Sequence, residues 1–211
     1  MRKTEYEKAR IAVLVSGGGT NLQALIDAEK AGIIKSGSIC LVISNNRSAY
    51  ALERAKNAGI KSAVIIAKEC GGREAFEEKL IETLEAERID MIVLAGFMSI
   101  LGEKFISRFS DRIINVHPSL IPSFCGQGFY GLRVHEAALE YGVKVTGATV
   151  HYVNEIPDGG KIILQKAVAI RPTDTPETLQ KRVMQQAEWK ILPRACELVA
   201  KKLMKEELDK R

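Results

Sequence analysis

The sequence predicts an α/β protein built on a doubly wound, Rossmann-like mixed sheet of about seven strands, parallel in its N-terminal half and partly antiparallel toward the C-terminus. Three observations carry that prediction. Apolar runs at 11–15, 39–43, 63–66 and 89–95 alternate with helical periodicities up to residue 117, the pattern of repeated βαβ units. The first run passes straight into Gly17-Gly18-Gly19 and then into a helix. Late in the chain, two strand-like runs at 144–153 and 162–168 are separated only by 154–160, a connection short enough for an antiparallel pair.

In order, Ile11-Ala12-Val13-Leu14-Val15 reads as a buried strand, followed by Gly17-Gly18-Gly19-Thr20-Asn21 and a helix carrying Leu22, Leu25, Ile26 and Ala28. A strand, a glycine turn and a helix N-terminus can hold a phosphate on backbone N–H groups without any charged side chain, or can be a plain tight turn. The chain lacks the Gly-Lys-Ser/Thr of a Walker loop and has Leu22 where the dinucleotide fingerprint needs glycine. A second strand at 39–43 precedes a helix over 49–58 that stops at Gly59, and a third strand follows at 63–66. Beyond Gly71-Gly72, Phe76, Leu80, Ile81 and Leu84 mark one face of a helix over 73–87. The fourth strand, 89–95, runs into the apolar loop 96–101, which suits a flat aromatic ligand or packs under the next helix, 103–109.

The run Ile113-Ile114-Asn115-Val116-His117 ends at Pro118, which cannot donate to a ladder. Residues two apart on a strand share a face, so Asn115 and His117 stand together at the strand's C-terminal end, where open α/β sheets bind ligands. The alternative is a capping amide and a core histidine. Residues 118–132 hold two prolines and three glycines and form a long loop, followed by a short helix over 134–140. His135 reads as a loop or surface-helix histidine and His151, inside a strand, as structural. Asp158-Gly159-Gly160 is turn chemistry, but a carboxylate beside an imidazole would raise its pKa and hold it protonated near neutral pH. Thr175-Pro176-Glu177 starts the closing helix, which runs toward residue 202 with a bend near Pro193.

Composition narrows the function classes. Much of the net charge of +5 sits in 201–211, and aromatics are 6% of the chain, so no base-stacking, nucleic-acid-binding surface is expected. No apolar run reaches the roughly 18 residues of a membrane span, and the charged N-terminus has no signal-type core, so a cytoplasmic location with no membrane contact is expected. Four scattered cysteines and three scattered histidines suggest free thiols and no metal. The expected organisation is one domain over 1–211, with an N-terminal extension at 1–9 and a charged tail at 200–211. Oligomeric state, monomer or homodimer, is left open.

The chain resembles the phosphoribosylglycinamide formyltransferase family from Ile11 to about Leu198. The resemblance is carried by Ser16-Gly17-Gly18-Gly19-Thr20-Asn21, Leu94-Ala95-Gly96-Phe97-Met98, Asn115-Val116-His117-Pro118-Ser119-Leu120-Ile121-Pro122, Thr146-Gly147-Ala148-Thr149-Val150-His151 and Asp158-Gly159-Gly160. It implies the formyltransferase fold and formyl transfer from 10-formyltetrahydrofolate, a consumed cosubstrate, to the glycine amine of 5'-phosphoribosylglycinamide in purine synthesis. By resemblance, Asn115, His117 and Asp158 are catalytic: Asn115 and protonated His117 stabilise the oxyanion, and His117, kept basic by Asp158, moves the proton. Gly19, Thr20, Asn21 and Glu188 would bind the phosphoribosyl substrate. Arg73, Met98, Ser99, Ile100, Leu101, Asn115, Asn154, Glu155, Ile156, Pro157 and Asp158 would surround the folate. The chain departs from the family pattern in a longer loop through Phe124-Cys125-Gly126-Gln127-Gly128-Phe129-Tyr130, in Ser99 where arginine is common, and in Trp189 where histidine is common. The rival readings are formyltetrahydrofolate deformylase, which carries a second histidine where Pro118 stands, methionyl-tRNA formyltransferase, which needs a further domain, and a non-enzymatic nucleotide-binding module.

Overall fold

The computed structural model describes residues 8–209. Seven strands, β1 (Ala9–Val15), β2 (Gly37–Ser44), β3 (Lys61–Val64), β4 (Met91–Leu94), β5 (Ile113–His117), β6 (Val145–Tyr152) and β7 (Ile162–Ala169), form one sheet in the order β3-β2-β1-β4-β5-β6-β7. The pairs from β3 through β5 are parallel; β5–β6 and β6–β7 are antiparallel, as the short connection before residue 162 predicts. The chain moves outward from β1 in one direction to β3, then returns to lay β4 on the other side. That reversal opens a crevice at the C-terminal ends of β1 and β4.

Period-two geometry divides the core between two faces. Ile11, Val13 and Val15 of β1 pack with α1 (Thr20–Lys30) and α8 (Trp189–Leu208), through Leu25, Leu192 and Cys196. Ala12 and Leu14 point the other way, toward α4 (Arg73–Ala86) and α5 (Glu103–Arg108), where Leu80, Leu84 and Phe105 are buried. Both faces are covered, so the strands read as continuous apolar runs.

The remaining helices are α2 (Tyr50–Asn57), α3 (Ala67–Cys70), α6 (Arg133–Tyr141) and α7 (Pro176–Val183). Thr175 and Thr178 form a reciprocal capping box at the start of α7, with Pro176 in its first turn.

Four expectations need correction. The third strand lies at Lys61–Val64 rather than 63–66, because an edge strand pairs on one side only and tolerates exposed Lys61 and Ser62. The short α3, four residues long, has no apolar face for periodicity to reveal. The closing helix continues to Leu208, through most of the expected tail. Nor is it continuous from residue 176: a π-helical turn, Met184–Glu188, interrupts it, and Pro193 sits inside α8 without an N–H for the carbonyl four residues back. The expected N-terminal extension lies, up to residue 7, outside the described residues.

Gly147 shows how tightly β6 is enclosed: a Cβ there would meet the Lys166 carbonyl oxygen at 2.1 Å and Leu120 Cδ2 at 2.8 Å. Gly147→Ala should destabilise the fold by about 2 kcal/mol, the scale of overpacking a dense interior. Gly17→Ala, with nothing within 4 Å of the added methyl, should leave urea-unfolding midpoints close to wild type.

Candidate active site

β5 delivers the first two groups. Asn115 and His117 point to one face at its C-terminal end, and Asp158, on the turn between β6 and β7, reaches both. Asp158 Oδ2 lies 3.3 Å from His117 Nδ1, and Oδ1 lies 3.5 Å from Asn115 Nδ2. The turn is specific: Asp158 has φ +56°, and at Gly160 a Cβ would stand 1.7 Å from the Tyr152 carbonyl oxygen. Only a residue without a side chain fits there.

His151 belongs to this cluster, which corrects its reading as structural. The antiparallel β5–β6 register sets it directly across from Asn115. Its Nδ1 lies 2.7 Å from the Tyr152 carbonyl oxygen and so carries a proton, and its Nε2 lies 3.2 Å from Asn115 Nδ2. The same Nε2 is 3.5 Å from Asp158 Oδ1. Once β5 and β6 are paired, the two-residue spacing of Thr149 and His151 against Asn115 and His117 is the signal that could have found it.

The long loop reaches the same carboxylate. The Gly126 N–H donates to Asp158 Oδ2 at 2.9 Å, and His117 Nε2 lies 2.8 Å from the Phe124 carbonyl oxygen. Phe124 itself has φ +50°, and its ring packs edge-on against Phe129 and Tyr141.

These neighbours set the charges. Burial works to raise the Asp158 pKa, but the His151 hydrogen bond, His117 and the Gly126 N–H outweigh it and hold the carboxyl below its ordinary value. For His117 burial is the largest influence and pulls the pKa down; Asp158 and the Phe124 carbonyl push it up without overcoming it. Burial of His117 thus opposes the expected hold of Asp158 on its proton, and desolvation is the larger of the two influences. His135 is likewise not at the surface. It is fully buried in the first turn of α6 with neither ring nitrogen hydrogen-bonded, and burial, reinforced by His117, pulls it to about 4.

Beside the cluster, Leu94, Phe97, Ile100, Leu101, Ile106, Ile156 and Pro157 are the apolar lining of a cleft, with Ser99, Asn115, His151, Asn154, Glu155 and Asp158 its polar lining. A flat ring with polar edges fits this combination. Arg73 and Met98 do not line it: Arg73 Nε donates to Glu77 Oε1 at 3.0 Å, and the Met98 N–H donates to Ser16 Oγ at 2.8 Å.

The glycine turn opens at the end of β1. Gly19 has φ +69°, and a Cβ there would lie 2.6 Å from Ala51 Cβ on α2. Asn21 Nδ2 donates to Glu188 Oε2 at 2.7 Å, joining the turn to the π-helical segment. Both residues are buried, Asn21 Oδ1 has no partner, and burial pushes the Glu188 carboxyl up to about 7. Arg54, absent from the sequence-predicted set, donates from Nε to the Gly18 carbonyl at 2.8 Å. Nothing in its sequence context signals that contact; it depends on how α2 packs. Among the described residues, no group of three or more His, Cys, Asp or Glu side chains is arranged to hold a metal ion, and no helix is long and apolar enough to cross a membrane.

The family profile described as formyl transferase matches residues 9–196. The trifunctional purine biosynthetic protein adenosine-3 of Homo sapiens is 47% identical over 196 residues, which cover 93% of this chain and 19% of that protein. The chain thus spans only a small part of such relatives. The phosphoribosylglycinamide formyltransferase of Haemophilus influenzae is 44% identical over 184 residues, covering 87% of this chain and 84% of that protein. Among solved structures, glycinamide ribonucleotide transformylase 1 from Symbiobacterium toebii superposes with a TM-score of 0.86 at 42% identity, covering 92% of this chain and 89% of that one.

The buried Glu188 makes stability depend on pH. Its folded pKa lies above the ordinary carboxyl value of 4.5, so its favourable contribution is complete below that value and is lost as pH rises toward about 7. Glu188→Gln should keep the Asn21 hydrogen bond and flatten this dependence. The loss of unfolding free energy between pH 5 and pH 8, measured by urea denaturation, should shrink by on the order of 2 kcal/mol relative to wild type.

Proposed function

Because the chain belongs to the formyl transferase family, we propose that it transfers the formyl group of 10-formyltetrahydrofolate to the glycine amine of 5'-phosphoribosylglycinamide, a step of purine synthesis. One observation carries the proposal: an amide, an imidazole and a carboxylate meet at the C-terminal end of β5, beside an apolar cleft and on the same sheet end as a glycine turn suited to phosphate. The names of the relatives point to the same reaction.

The cleft takes the pteridine-like ring of the donor, with Phe97, Ile100 and Leu101 against its faces and the backbone of 154–158 at its edge. The glycine turn takes the phosphate, and Glu188 accepts from the ribose hydroxyls. The bound folate supplies an activated formyl carbon. Asn115 Nδ2, held by His151 and only loosely by Asp158, turns one N–H to the formyl oxygen as it gains charge.

His117 handles the proton. A neutral imidazole has one N–H for two acceptors, the Phe124 carbonyl oxygen and Asp158. When the substrate amine replaces the Phe124 carbonyl, the proton resides on Nδ1 against Asp158 and Nε2 becomes the base. The amine nitrogen bonds to the formyl carbon and gives its proton to His117. The imidazolium so formed is stabilised by Asp158 and returns the proton to N10 as the carbon–N10 bond breaks. The base in this reading is neutral at the start.

A deformylase would hand the same formyl group to water. Mixing the protein with 10-formyltetrahydrofolate, with and without 5'-phosphoribosylglycinamide, separates the two, and rapid folate turnover without the amine would reject the transferase. His117→Asn and Asp158→Asn should each fold and lose about 10²–10⁴-fold in kcat, the range for general acid–base groups. Since His117 titrates below its ordinary 6.5, the acid limb of the wild-type kcat/KM profile should fall below that pH. Asp158→Asn removes an upward influence and should move the limb lower still.

A further inference from the structure

In a trans peptide the C=O and the following N–H point in opposite directions, so a carbonyl fixed on one side fixes an N–H on the other. Three successive carbonyls of the glycine turn are fixed. Gly17 O accepts from the Ala51 N–H at 3.1 Å, Gly18 O accepts from Arg54 Nε at 2.8 Å, and Gly19 O accepts from the Gln23 N–H at 2.9 Å. The N–H groups of Gly18, Gly19 and Thr20 therefore face away from these contacts, and none donates to a protein acceptor among the described residues. The first and third carbonyls are held by backbone. The middle one depends on a side chain.

That side chain is built into place. Arg54 NH1 donates to Gln23 Oε1 at 3.0 Å, so one guanidinium ties the turn to α1, and its Cζ lies 5.0 Å from the centre of the Tyr50 ring. Gly19, in its left-handed conformation, lets Ala51 approach closely enough for α2 to reach the turn. No carboxylate among the described residues lies within ion-pairing distance of Arg54, so its charge stands uncompensated beside the three free N–H groups. Independently, Asn21 at the edge of the turn is buried with Oδ1 unpartnered, an acceptor left for a ligand hydroxyl.

We propose that Arg54 is a positioning residue of the phosphate cradle: by fixing the Gly18–Gly19 peptide it aims the Gly19 N–H at the substrate phosphate and lets the site select a phosphorylated acceptor over its nucleoside. The proposal rests on the phosphoribosyl reading of the acceptor. Arginine is specific to the role, because donation from Nε and NH1 to two acceptors at fixed angles is beyond a lysine ammonium on a flexible stem.

The test compares Arg54→Lys and Arg54→Met with wild type on 5'-phosphoribosylglycinamide and on the dephosphorylated nucleoside, with 10-formyltetrahydrofolate as donor. Both variants should raise KM for the phosphorylated acceptor by roughly tenfold, the effect of losing a hydrogen bond to a charged group, with kcat and the folate KM unchanged. The kcat/KM for the nucleoside should not move, so discrimination between the two acceptors collapses. Wild-type discrimination in both variants overturns the proposal. Full retention in Arg54→Lys alone also overturns it, since charge and not the fork would then suffice. Equal losses on both acceptors would mark a merely structural role and overturn it too. A wild-type protein that does not prefer the phosphorylated acceptor would instead reject the phosphoribosyl reading itself.

Discussion

The Asp158 carboxylate is the interaction on which the rest of the site depends. It draws together β5 through His117 and Asn115, β6 through His151, and the long loop through the Gly126 N–H. A charge taken out of water is costly unless several donors meet it, and a partly satisfied polar network is worse than none. Here the donors come from three chain segments, so the carboxylate is stable only when all three are in register. Its presence on a left-handed turn, enforced by the close passage of Gly160 past Tyr152, is what lets one side chain reach them.

The sheet supplies the rigidity behind this arrangement. Strands β1, β4 and β5 run parallel and end on the same side, so the glycine turn, the apolar loop and the Asn115–His117 pair follow from their ends. The switch from parallel to antiparallel pairing at β5–β6 is equally necessary, because it sets His151 opposite Asn115 and carries the chain on to Asp158. Two apolar layers, one on each face, hold the strand ends fixed, while the polar groups occupy the crevice between loops.

Much of this was legible in the sequence because it rests on local periodicity. Alternation on a strand is enough to pair Asn115 with His117, and a proline is enough to end that strand. Asp158 was legible through the motif it shares with a known family. His151 was misread, since a histidine within a strand resembles core until the cross-strand register is known. The balance of influences on His117 was not legible, because a nearby carboxylate can be inferred from sequence and the depth of burial cannot. Arg54 contacts a carbonyl 36 residues away, and that contact exists only once α2 has docked on Gly19. The strand at Lys61 was displaced in the reading because its exposed edge has no hydrophobic signature.

The site also contains several departures from regular backbone structure. Gly19, Phe124 and Asp158 all lie in the left-handed region, two of them carrying side chains that disfavour it, and Glu188 sits on a π-helical turn with its carboxyl buried. Each departure costs stability on its own, and each aims a group that regular geometry would aim elsewhere: a peptide N–H, a loop carbonyl, a carboxylate, a buried acid. Such costs persist only where the surroundings over-determine the conformation. In this fold the over-determination is visible in the contacts around each one: Ala51 against Gly19, Phe129 and Tyr141 against Phe124, Tyr152 against Gly160 beside Asp158, and Asn21 on Glu188. The irregular residues and the close-packed neighbours that hold them are therefore one feature, and relaxing the neighbour should release the functional group as surely as removing the group itself.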